Sequence, residues 1–475
     1  MHKLISIFFT SILLLSCETN KSKSTENQEI DLRGNWEYLG FGKAISINDS
    51  IVKGFHISSV GNVPLSDNNL SDYFEYYTVD TLSNDTILLK DGVKTFKLFR
   101  SDKDFEKDIH EDLSNDPNYN FEVLWHTFNE QYCYFKERSI DWKALYNNYA
   151  PQVQSNMEPL PLFLLFEKML GEIQDGHISI DVPDELEEAY ENQTADNGKE
   201  SNEDIPEGLE KRVKDRIVEK HLKTFGRFNQ GELKWGMVDT HVAYMQTSNM
   251  ISWAHYPIAD SLSKDQFWSE WWKKLNQAKN HHDDVAEGTR FIMDSIVRTV
   301  ADAKAFIIDL RFNGGGFDDA SVEILNHFIH NKTEIGTKKV KLGGGFTEKQ
   351  SIMLTPSERP FKGKLFILTS HETASAAELL VLGSKELPNA KIIGGTTEGV
   401  FSDILRKKLP NGWKYGLSNM IYESVDGVSY EEVGISPDIT LDYPVRSKDF
   451  YEYLLEDVKD GDDAILKVID EINGD

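Results

Sequence analysis

The sequence predicts an α/β protein, and residues 231–445 carry most of the evidence. Short apolar strands alternate there with helical patterns, an order that is typical of a sheet covered by helices. The strands are "VAYMQTS", "AFIIDLR", "KLFILTS" and "KIIGG", and the helix "TRFIMDSIVRTVADAK" separates the first two. Because the chain has 475 residues, enough for two or three folded units, we expect further domains beside this core.

The first 30 residues read as an export signal and a tether. Residues 1–17, "MHKLISIFFTSILLLSC", contain a lysine and an apolar run that is too short for a stable membrane anchor. The end of this run, "LLLSC", resembles a bacterial lipobox, so we expect lipidation at Cys17 and a lipoprotein held on an envelope membrane, facing the periplasm or the outer membrane. A plain signal peptide with an incidental cysteine is the alternative. Residues 18–30 are polar and predict a tether.

Residues 31–105 predict a small β domain. Asp91 and Gly92 form a hairpin turn signal, and Phe96 and Leu98 alternate with polar neighbours after it.

Residues 106–230 predict a helical subdomain with an acidic linker. Apolar side chains recur there at helical spacing, and "PLPLFLLFEKMLGEI" opens a second helix with proline in its first turn. Residues 184–211 are acidic and poor in large apolar side chains, which predicts a solvated linker or surface loop. After the α/β core, residues 446–475 predict a C-terminal helix.

Charge and cysteine content exclude some functions. The net charge of −28 argues against nucleic-acid binding, which needs a basic face. Cys133 has no partner other than Cys17, so no disulfide framework is expected, and its aromatic neighbours favour a packed thiol. "NHHDDV" at 280–285 is better explained as a solvated turn than as a metal site. "SLSK" at 261–264 fits a Ser-x-x-Lys pattern, but the accompanying motifs are not evident. We expect no metal and no cofactor.

Ser375 is the first candidate catalytic residue. It lies in "HETASAAELL", where an apolar strand turns directly into a helix. A serine at a helix N-terminus is exposed near backbone N–H groups, and the alanines around it leave room for a substrate. An ordinary helix cap is the alternative explanation.

A glycine-rich loop supplies the second element of this candidate site. In "AFIIDLRFNGGG" a buried strand leads into three glycines, whose backbone can approach a ligand closely. Gly314 and Gly315 are candidates for one donor to an oxyanion, and the N–H of Ala376 is a candidate for another. A similar run, "KLGGGF" at 342–346, receives no role.

Four stretches together resemble the C-terminal-processing and tricorn-type serine peptidases. They are "DGH" at 175–177, "DLRFNGGG", "TASAAE" and "YEEVGISPDI", and they occur in the order of that family, across about residues 115–445. The resemblance implies a β/α spiral core of the Clp and crotonase type, a nucleophilic Ser375, and an oxyanion hole formed by Ala376 and the glycine loop. It also implies peptide or protein substrates.

The resemblance also bears on the identity of the general base. One branch of the family uses a lysine about 25 residues after the serine, where this chain has Val400. The chain therefore resembles the histidine branch, with His177 as the base and Glu431 as the glutamate that orients it through a hydroxyl. In tricorn-type enzymes that hydroxyl belongs to a serine just before the histidine, whereas this chain has Gly176 at that position. We therefore expect Ser402 or Ser179 to take the place of that serine. No PDZ-like domain is evident between His177 and the core.

Two other functions stay open at this point. The chain could be a non-catalytic peptide-binding lipoprotein of the same fold, although a serine and a histidine together argue against that. It could also hydrolyse esters or non-peptide amides, because the acyl-transfer chemistry is the same.

Overall fold

The computed structural model describes residues 31–195, 205–259 and 261–474. The predicted signal peptide, Cys17 and the predicted tether lie outside the described residues. The structure is a mixed α/β protein, which confirms the predicted fold class. Its helices of seven or more residues are α1 Leu70–Tyr76, α2 Pro117–Gln131, α3 Trp142–Tyr149, α4 Pro159–Gly171, α5 Asp184–Ala195, α6 Leu209–His221, α7 Lys264–Gln277, α8 His281–Thr299, α9 Asp318–Asn326, α10 Ala376–Ser384, α11 Ser447–Asp460 and α12 Asp463–Asn473.

The first part of the chain forms an eight-stranded antiparallel sheet. Seven strands follow the order β4-β3-β2-β1-β8-β7-β6, and β5 pairs with β3. The strands are β1 Gly34–Tyr38, β2 Lys43–Ile47, β3 Ile51–Ser58, β4 Gly61–Pro64, β5 Asn68–Asn69, β6 Thr78–Ser83, β7 Thr86–Asp91 and β8 Lys94–Ser101. Asp91 pairs with Lys94 across the hairpin, and Gly92 has a φ of 55°. The predicted turn at Asp91 and Gly92 is therefore confirmed.

Helices α2 to α5 and the short strand β9, Ser179–Asp181, follow this sheet. Helix α2 begins where Asp116 caps the N–H groups of Asn118 and Tyr119, and Pro117 occupies its first turn. The predicted apolar stripe on this helix is buried, with Phe121, Leu124, Trp125 and Phe128 at 6% exposure or less. Cys133 is also buried, as the sequence predicts, and its thiol contacts the carbonyl oxygen of Ser418.

The predicted linker over residues 184–211 is wrong for its first part, because α5 occupies Asp184–Ala195. Acidic side chains in the first turn of a helix are favourable with the helix dipole, and Pro183 lies just before that turn. Leu186 and Tyr190 also pack against the helical core, where Tyr190 meets the ring of Phe163 at a centroid distance of 5.2 Å. A composition typical of a linker thus forms a helix where a few apolar side chains can pack.

The α/β core contains a seven-stranded sheet in the order β10-β11-β12-β13-β17-β18-β22. Strands β12, β13, β17, β18 and β22 are parallel, and β10 and β11 are antiparallel to their neighbours. The bounds are β10 Phe225–Phe228, β11 Leu233–Met237, β12 Val242–Thr247, β13 Ala305–Asp309, β17 Lys364–Thr369, β18 Ala390–Gly394 and β22 Ile439–Thr440. Every residue of β13 is buried, as expected for a central parallel strand.

Two small sheets complete the core. One joins β14 Thr333–Leu342, β15 Gly345–Phe346, β16 Gln350–Leu354 and β21 Met420–Glu423. The other joins β19 Ile404–Lys408, β20 Lys414–Ser418 and β9. Because β9 pairs with β20, with Ser179 opposite Gly416, the residues just before β9 are held against the core.

The predicted C-terminal helix is instead two helices, α11 and α12. Gly461 and Asp462 separate them, with φ values of 129° and 60°. The carboxylate of Asp462 caps α12 and forms a buried ion pair with Arg311, at 2.8 Å. The break also has a local signal in "KDGDD", because glycine commonly ends a helix and aspartate commonly caps the next one.

The predicted solvated turn at "NHHDDV" is also wrong. Asn280 caps α8, which begins at His281, and His282 is buried with its Nδ1 2.5 Å from a carboxylate oxygen of Asp319. Within the described ranges, no group of three or more histidine, cysteine, aspartate or glutamate side chains could hold a metal ion. The same ranges contain no helix with the length and apolarity needed to cross a membrane.

Candidate active site

Ser375 lies at the turn between β17 and α10. It is half-buried and directly precedes the helix, with φ 54° and ψ −124°. A non-glycine residue rarely adopts a positive φ, and such strain persists only where the surroundings hold it. Here the backbone N–H of Ala374 donates to the carbonyl of Asn313, and the hydroxyl of Thr373 donates to the carbonyl of Leu310. The serine turn is thereby fixed to the loop that follows β13.

The glycine loop lies directly against this turn. A Cβ atom added to Gly315 would lie 2.6 Å from the Cβ of Ser375 and 2.9 Å from the backbone nitrogen of Ala376. Gly315 also has a φ of 95°, which glycine adopts without strain. The residue is therefore a glycine because no side chain fits between the loop and the serine turn.

The predicted oxyanion donors differ in their availability. The N–H of Gly315 donates to the side chain of Asn313 at 3.0 Å, so it is already used within the loop. In the part of the chain that the structure describes, the N–H groups of Gly314 and Ala376 have no hydrogen-bond acceptor. Ala376 begins α10, whose dipole favours negative charge at this end. Gly314 and Ala376 are thus the better candidate donors.

Glu378 fixes the opposite side of the serine turn, a role that we did not predict. Its fully buried carboxylate accepts the N–H groups of Ser375 at 3.2 Å, Gly399 at 2.7 Å and Val400 at 2.8 Å. Burial raises the pKa of Glu378 to about 7, and the hydrogen bonds oppose that rise. The only sequence signal was a glutamate among alanines and leucines in "TASAAELL".

His177 lies in the turn between α4 and β9, close to the same loop. Its N–H donates to the carboxylate of Asp175 at 2.9 Å, and a Cβ added to the intervening Gly176 would lie 3.7 Å from Val400. The imidazole is buried, its Nδ1 has no hydrogen-bond partner within the described residues, and burial lowers the pKa of His177. The loop around Val400 thus contacts both the His177 turn and, through Glu378, the Ser375 turn.

The described residues include no hydrogen bond between His177 and Ser375. Hydrogen bonds between catalytic groups are often long in unliganded proteins and shorten in the substrate complex. Both turns therefore adjoin the loop around Val400, but no hydrogen bond joins the two residues.

Glu431 takes part in a buried ionic cluster. One of its oxygens accepts from Arg138 at 3.0 Å, and the other accepts from the N–H of Phe401 at 2.9 Å. Burial, and then the charge of Asp175, raise the pKa of Glu431 to about 7. Glu431 therefore contacts an arginine and a backbone N–H rather than a hydroxyl beside His177.

Arg138 links Glu431 to the histidine turn. Its Nε lies 3.9 Å from an oxygen of Asp175, and its side chain is 6% exposed. The same oxygen of Asp175 accepts the hydroxyl of Tyr132 at 2.8 Å. Polar contacts thus link Glu431 to Arg138, Arg138 to Asp175, and Asp175 to the backbone of His177. We did not predict Arg138, Asp175 or Tyr132 as site residues, although Asp175 belongs to the "DGH" stretch.

The two candidate relay hydroxyls have other positions. Ser402 is buried, donates to the carbonyl of Asp403 at 3.0 Å and accepts the N–H of Met420 at 3.1 Å. Ser179 is exposed on β9. Neither hydroxyl has a hydrogen bond to His177 among the described residues, so both stay predictions for the relay.

Comparison with known proteins gives the same family as the motifs. Residues 274–441 match the model of Peptidase family S41, and residues 114–171 match that of the Tricorn protease C1 domain. The carboxy-terminal processing protease CtpA of Bacillus subtilis is 29% identical over 31% of this chain and 30% of its own length. A probable CtpA-like serine protease of Staphylococcus aureus is 28% identical over 32% of this chain and 30% of its own length.

A solved structure supports the fold. The crystal structure of a putative peptidase from Parabacteroides merdae covers 75% of this chain and 96% of its own chain, with 22% identity and a TM-score of 0.53. The chain spans about 30% of the length of the curated relatives that it matches. The matched 274–441 segment contains the glycine loop, Ser375 and Glu431, whereas His177 lies between the two matched segments. Residues 274–441 of this chain are thus similar to peptidase family S41, and residues 114–171 to the Tricorn protease C1 domain.

Proposed function

We propose that this protein is a serine peptidase that cleaves peptides or proteins through an acyl-enzyme, with Ser375 as the nucleophile. The observation that carries the proposal is the strained backbone of Ser375 at the start of α10, packed against Gly315. Strain of this kind collects at functional sites and has no role in a simple helix cap.

The proposed reaction uses groups from both sides of the turn. Ser375 Oγ attacks the substrate carbonyl while His177 accepts its proton, and the N–H groups of Gly314 and Ala376 stabilise the negative oxygen that forms. His177 then returns the proton to the leaving amine, and water hydrolyses the acyl-enzyme by the same steps. No step needs a cofactor.

Two observations support His177 over a lysine as the base. Val400 occupies the place where the other branch has its lysine, and its backbone is held by Glu378. Burial also lowers the pKa of His177, which keeps the imidazole neutral and able to accept a proton at pH 7.

Labelling with a fluorophosphonate probe tests this assignment. We expect Ser375→Ala and His177→Ala proteins to lose labelling by at least ~10³-fold while they keep the wild-type circular dichroism spectrum. The exposed residues Ser351 and His110 provide matched controls, and Ser351→Ala and His110→Ala proteins should label at the wild-type rate. Wild-type labelling of the Ser375→Ala protein would refute the proposal.

A non-catalytic peptide-binding protein of the same fold is the second candidate. The missing hydrogen bond between His177 and Ser375 favours it. A folded wild-type protein that binds peptides but never reacts with the probe, at any pH between 5 and 9, would support this candidate instead.

We also propose that Cys17 carries lipid and anchors the protein to the cell envelope. The support is the sequence "LLLSC" after a basic and apolar leader. Two acyl chains give stable anchoring, where one would be marginal. Cys17→Ala protein should leave the membrane fraction, and its complete retention there would contradict the anchor.

A further inference from the structure

A small cavity with a basic lining lies between the N-terminal sheet and the α/β core. Its volume is about 170 Å³. The charged and titratable side chains around it are Lys43, His56 and Lys94 from the N-terminal sheet and Asp403, Arg406 and Lys407 from the core. Cationic residues thus outnumber carboxylates in the cavity lining, in a chain with a net charge of −28. The cavity is therefore locally positive although the whole chain is negative, and a positive site attracts anions.

Lys43 and His56 form one wall of this cavity. They are opposite each other in the β2–β3 pairing, so their side chains lie on the same face of the sheet. The Nδ1 of His56 accepts the N–H of Lys408, at 3.0 Å. Because Nδ1 is an acceptor, the ring hydrogen of the neutral imidazole is on Nε2, which leaves Nε2–H as a donor.

Lys407 lines the same cavity from the core. Its Nζ donates to the carbonyls of Phe41 at 2.7 Å and Gly42 at 2.5 Å, and the residue is 2% exposed. An ammonium group has three N–H donors, so one remains for another acceptor. Within the described ranges, Lys43, Arg406 and Lys407 have no carboxylate within ion-pair distance, whereas Lys94 pairs with Asp403 at 3.2 Å.

The cationic groups in the cavity repel one another. Burial, and then the charge of Lys43, lower the pKa of Lys407 to about 7. Burial also lowers the pKa of His56, and the charges of Lys407 and Lys43 lower it further. A bound anion would relieve this repulsion, because it is attracted to every one of these groups.

Asn419 gives an independent indication of a ligand. It lines the cavity, is 1% exposed, and its Nδ2 is buried without a hydrogen-bond acceptor. A buried donor without an acceptor is costly and uncommon, so we expect a bound group to supply the acceptor beside Asn419. The donor character of Asn419 matches the anion that the lysines attract.

We propose that this cavity binds a small doubly charged oxyanion, such as inorganic phosphate, through Lys43, Lys407 and Asn419. The volume suits one such ion and excludes a nucleotide or a folded peptide. Because Lys43 belongs to the N-terminal sheet and Lys407 to the core, the anion ties the two parts together. Binding to the folded state alone then raises the stability of the protein.

Calorimetric titration of the full-length protein with inorganic phosphate, at constant ionic strength and at pH 6.5, below the pKa of about 7 of Lys407, tests the proposal. We expect saturable binding and a rise of the unfolding temperature. Lys43→Met and Asn419→Leu should each weaken binding by about 10-fold or more, as for the loss of a hydrogen bond to a charged group. Lys43 is only half-buried, so its replacement should not disturb folding. Acetate, with one charge, should bind more weakly than phosphate.

The control is Lys107→Gln, because Lys107 is an exposed lysine of the same chain that is absent from the cavity lining. This variant should bind phosphate as the wild-type protein does. Absence of binding heat, equal phosphate affinity in all variants, or acetate binding as tight as phosphate would overturn the proposal. None of these measurements uses the proposed peptidase activity, so their outcome is independent of Ser375.

Discussion

Gly315 lies so close to Ser375 that a Cβ atom on the glycine would be 2.6 Å from the Cβ of the serine. No real Cβ is accommodated at that distance, and the φ of 95° at Gly315 is also unfavourable for alanine. The two residues therefore depend on each other: the strained serine turn exists in this form only beside a glycine.

We expect Gly315→Ala to displace the serine turn and reduce fluorophosphonate labelling by about 100-fold or more, as for other small displacements of reacting groups. Gly344→Ala is the matched control, since Gly344 belongs to the second glycine run and a Cβ there meets nothing within 4 Å. The measurement is the labelling rate of the folded proteins. Wild-type labelling of the Gly315→Ala protein would show that the turn tolerates a side chain.

Arg138 is the next test, because it holds two buried carboxylates. Arg138→Met leaves Glu431 and Asp175 without their cation, and removal of one partner from a buried ion pair costs about 3–5 kcal/mol. We expect a loss of that size in the free energy of unfolding by urea, together with slower labelling of Ser375. Exposed Arg359 gives the control variant, Arg359→Met, which should unfold like the wild-type protein.

Glu431→Gln should be milder than His177→Ala. The amide can still accept the N–H of Phe401. Arg138 retains its contact with Asp175 and lies 3.7 Å from a carboxylate oxygen of Glu432. We expect a labelling rate between those of the wild-type and His177→Ala proteins, and a still smaller effect of Glu432→Gln. A Glu431→Gln protein as inactive as His177→Ala would assign the glutamate a direct role in proton transfer.

The pH dependence of labelling distinguishes the candidate bases. Burial lowers the pKa of His177 below its ordinary 6.5, so the neutral imidazole persists to lower pH. We therefore expect a labelling rate that is constant down to pH 6.5 and falls only below it. A fall near pH 7 would point to Glu431 or Glu378 instead, because burial raises the pKa of each to about 7.

Local features of this protein were predictable from the sequence, and long-range ones were not. The turn at Asp91 and Gly92 and the strand–helix turn at Ser375 depend on neighbouring residues, which the sequence displays. The contact of Arg138 with Glu431 joins residues 293 positions apart, and nothing near either residue indicates the other. The ion pair of Arg311 with Asp462 is another such contact, between residues 151 positions apart. The acidic composition of residues 184–195 predicted a linker, whereas the packing of Leu186 and Tyr190, which favours a helix, depends on residues elsewhere in the chain.

Glu378 makes a final prediction about stability. Burial raises its pKa from 4.5 to about 7. Between pH 4.5 and pH 7, the carboxyl group of Glu378 is therefore protonated in the folded protein and ionised in the unfolded chain. The contribution of this protonation to the free energy of unfolding is fully present below pH 4.5 and is lost as the pH rises through 7. Its size is on the order of 3 kcal/mol.

Glu378→Gln removes this titration, because the amide stays neutral at every pH. We expect the free energy of unfolding by urea to decrease less between pH 5 and pH 8 in this variant than in the wild-type protein. Part of the wild-type decrease should remain, since the pKa of Glu431 is raised to the same value. The exposed Glu358 supplies the control, Glu358→Gln, whose pH dependence should match the wild type. If the Glu378→Gln and wild-type proteins lose equal stability over this range, the carboxyl group of Glu378 is ionised in the folded state throughout, and its three N–H donors outweigh its burial.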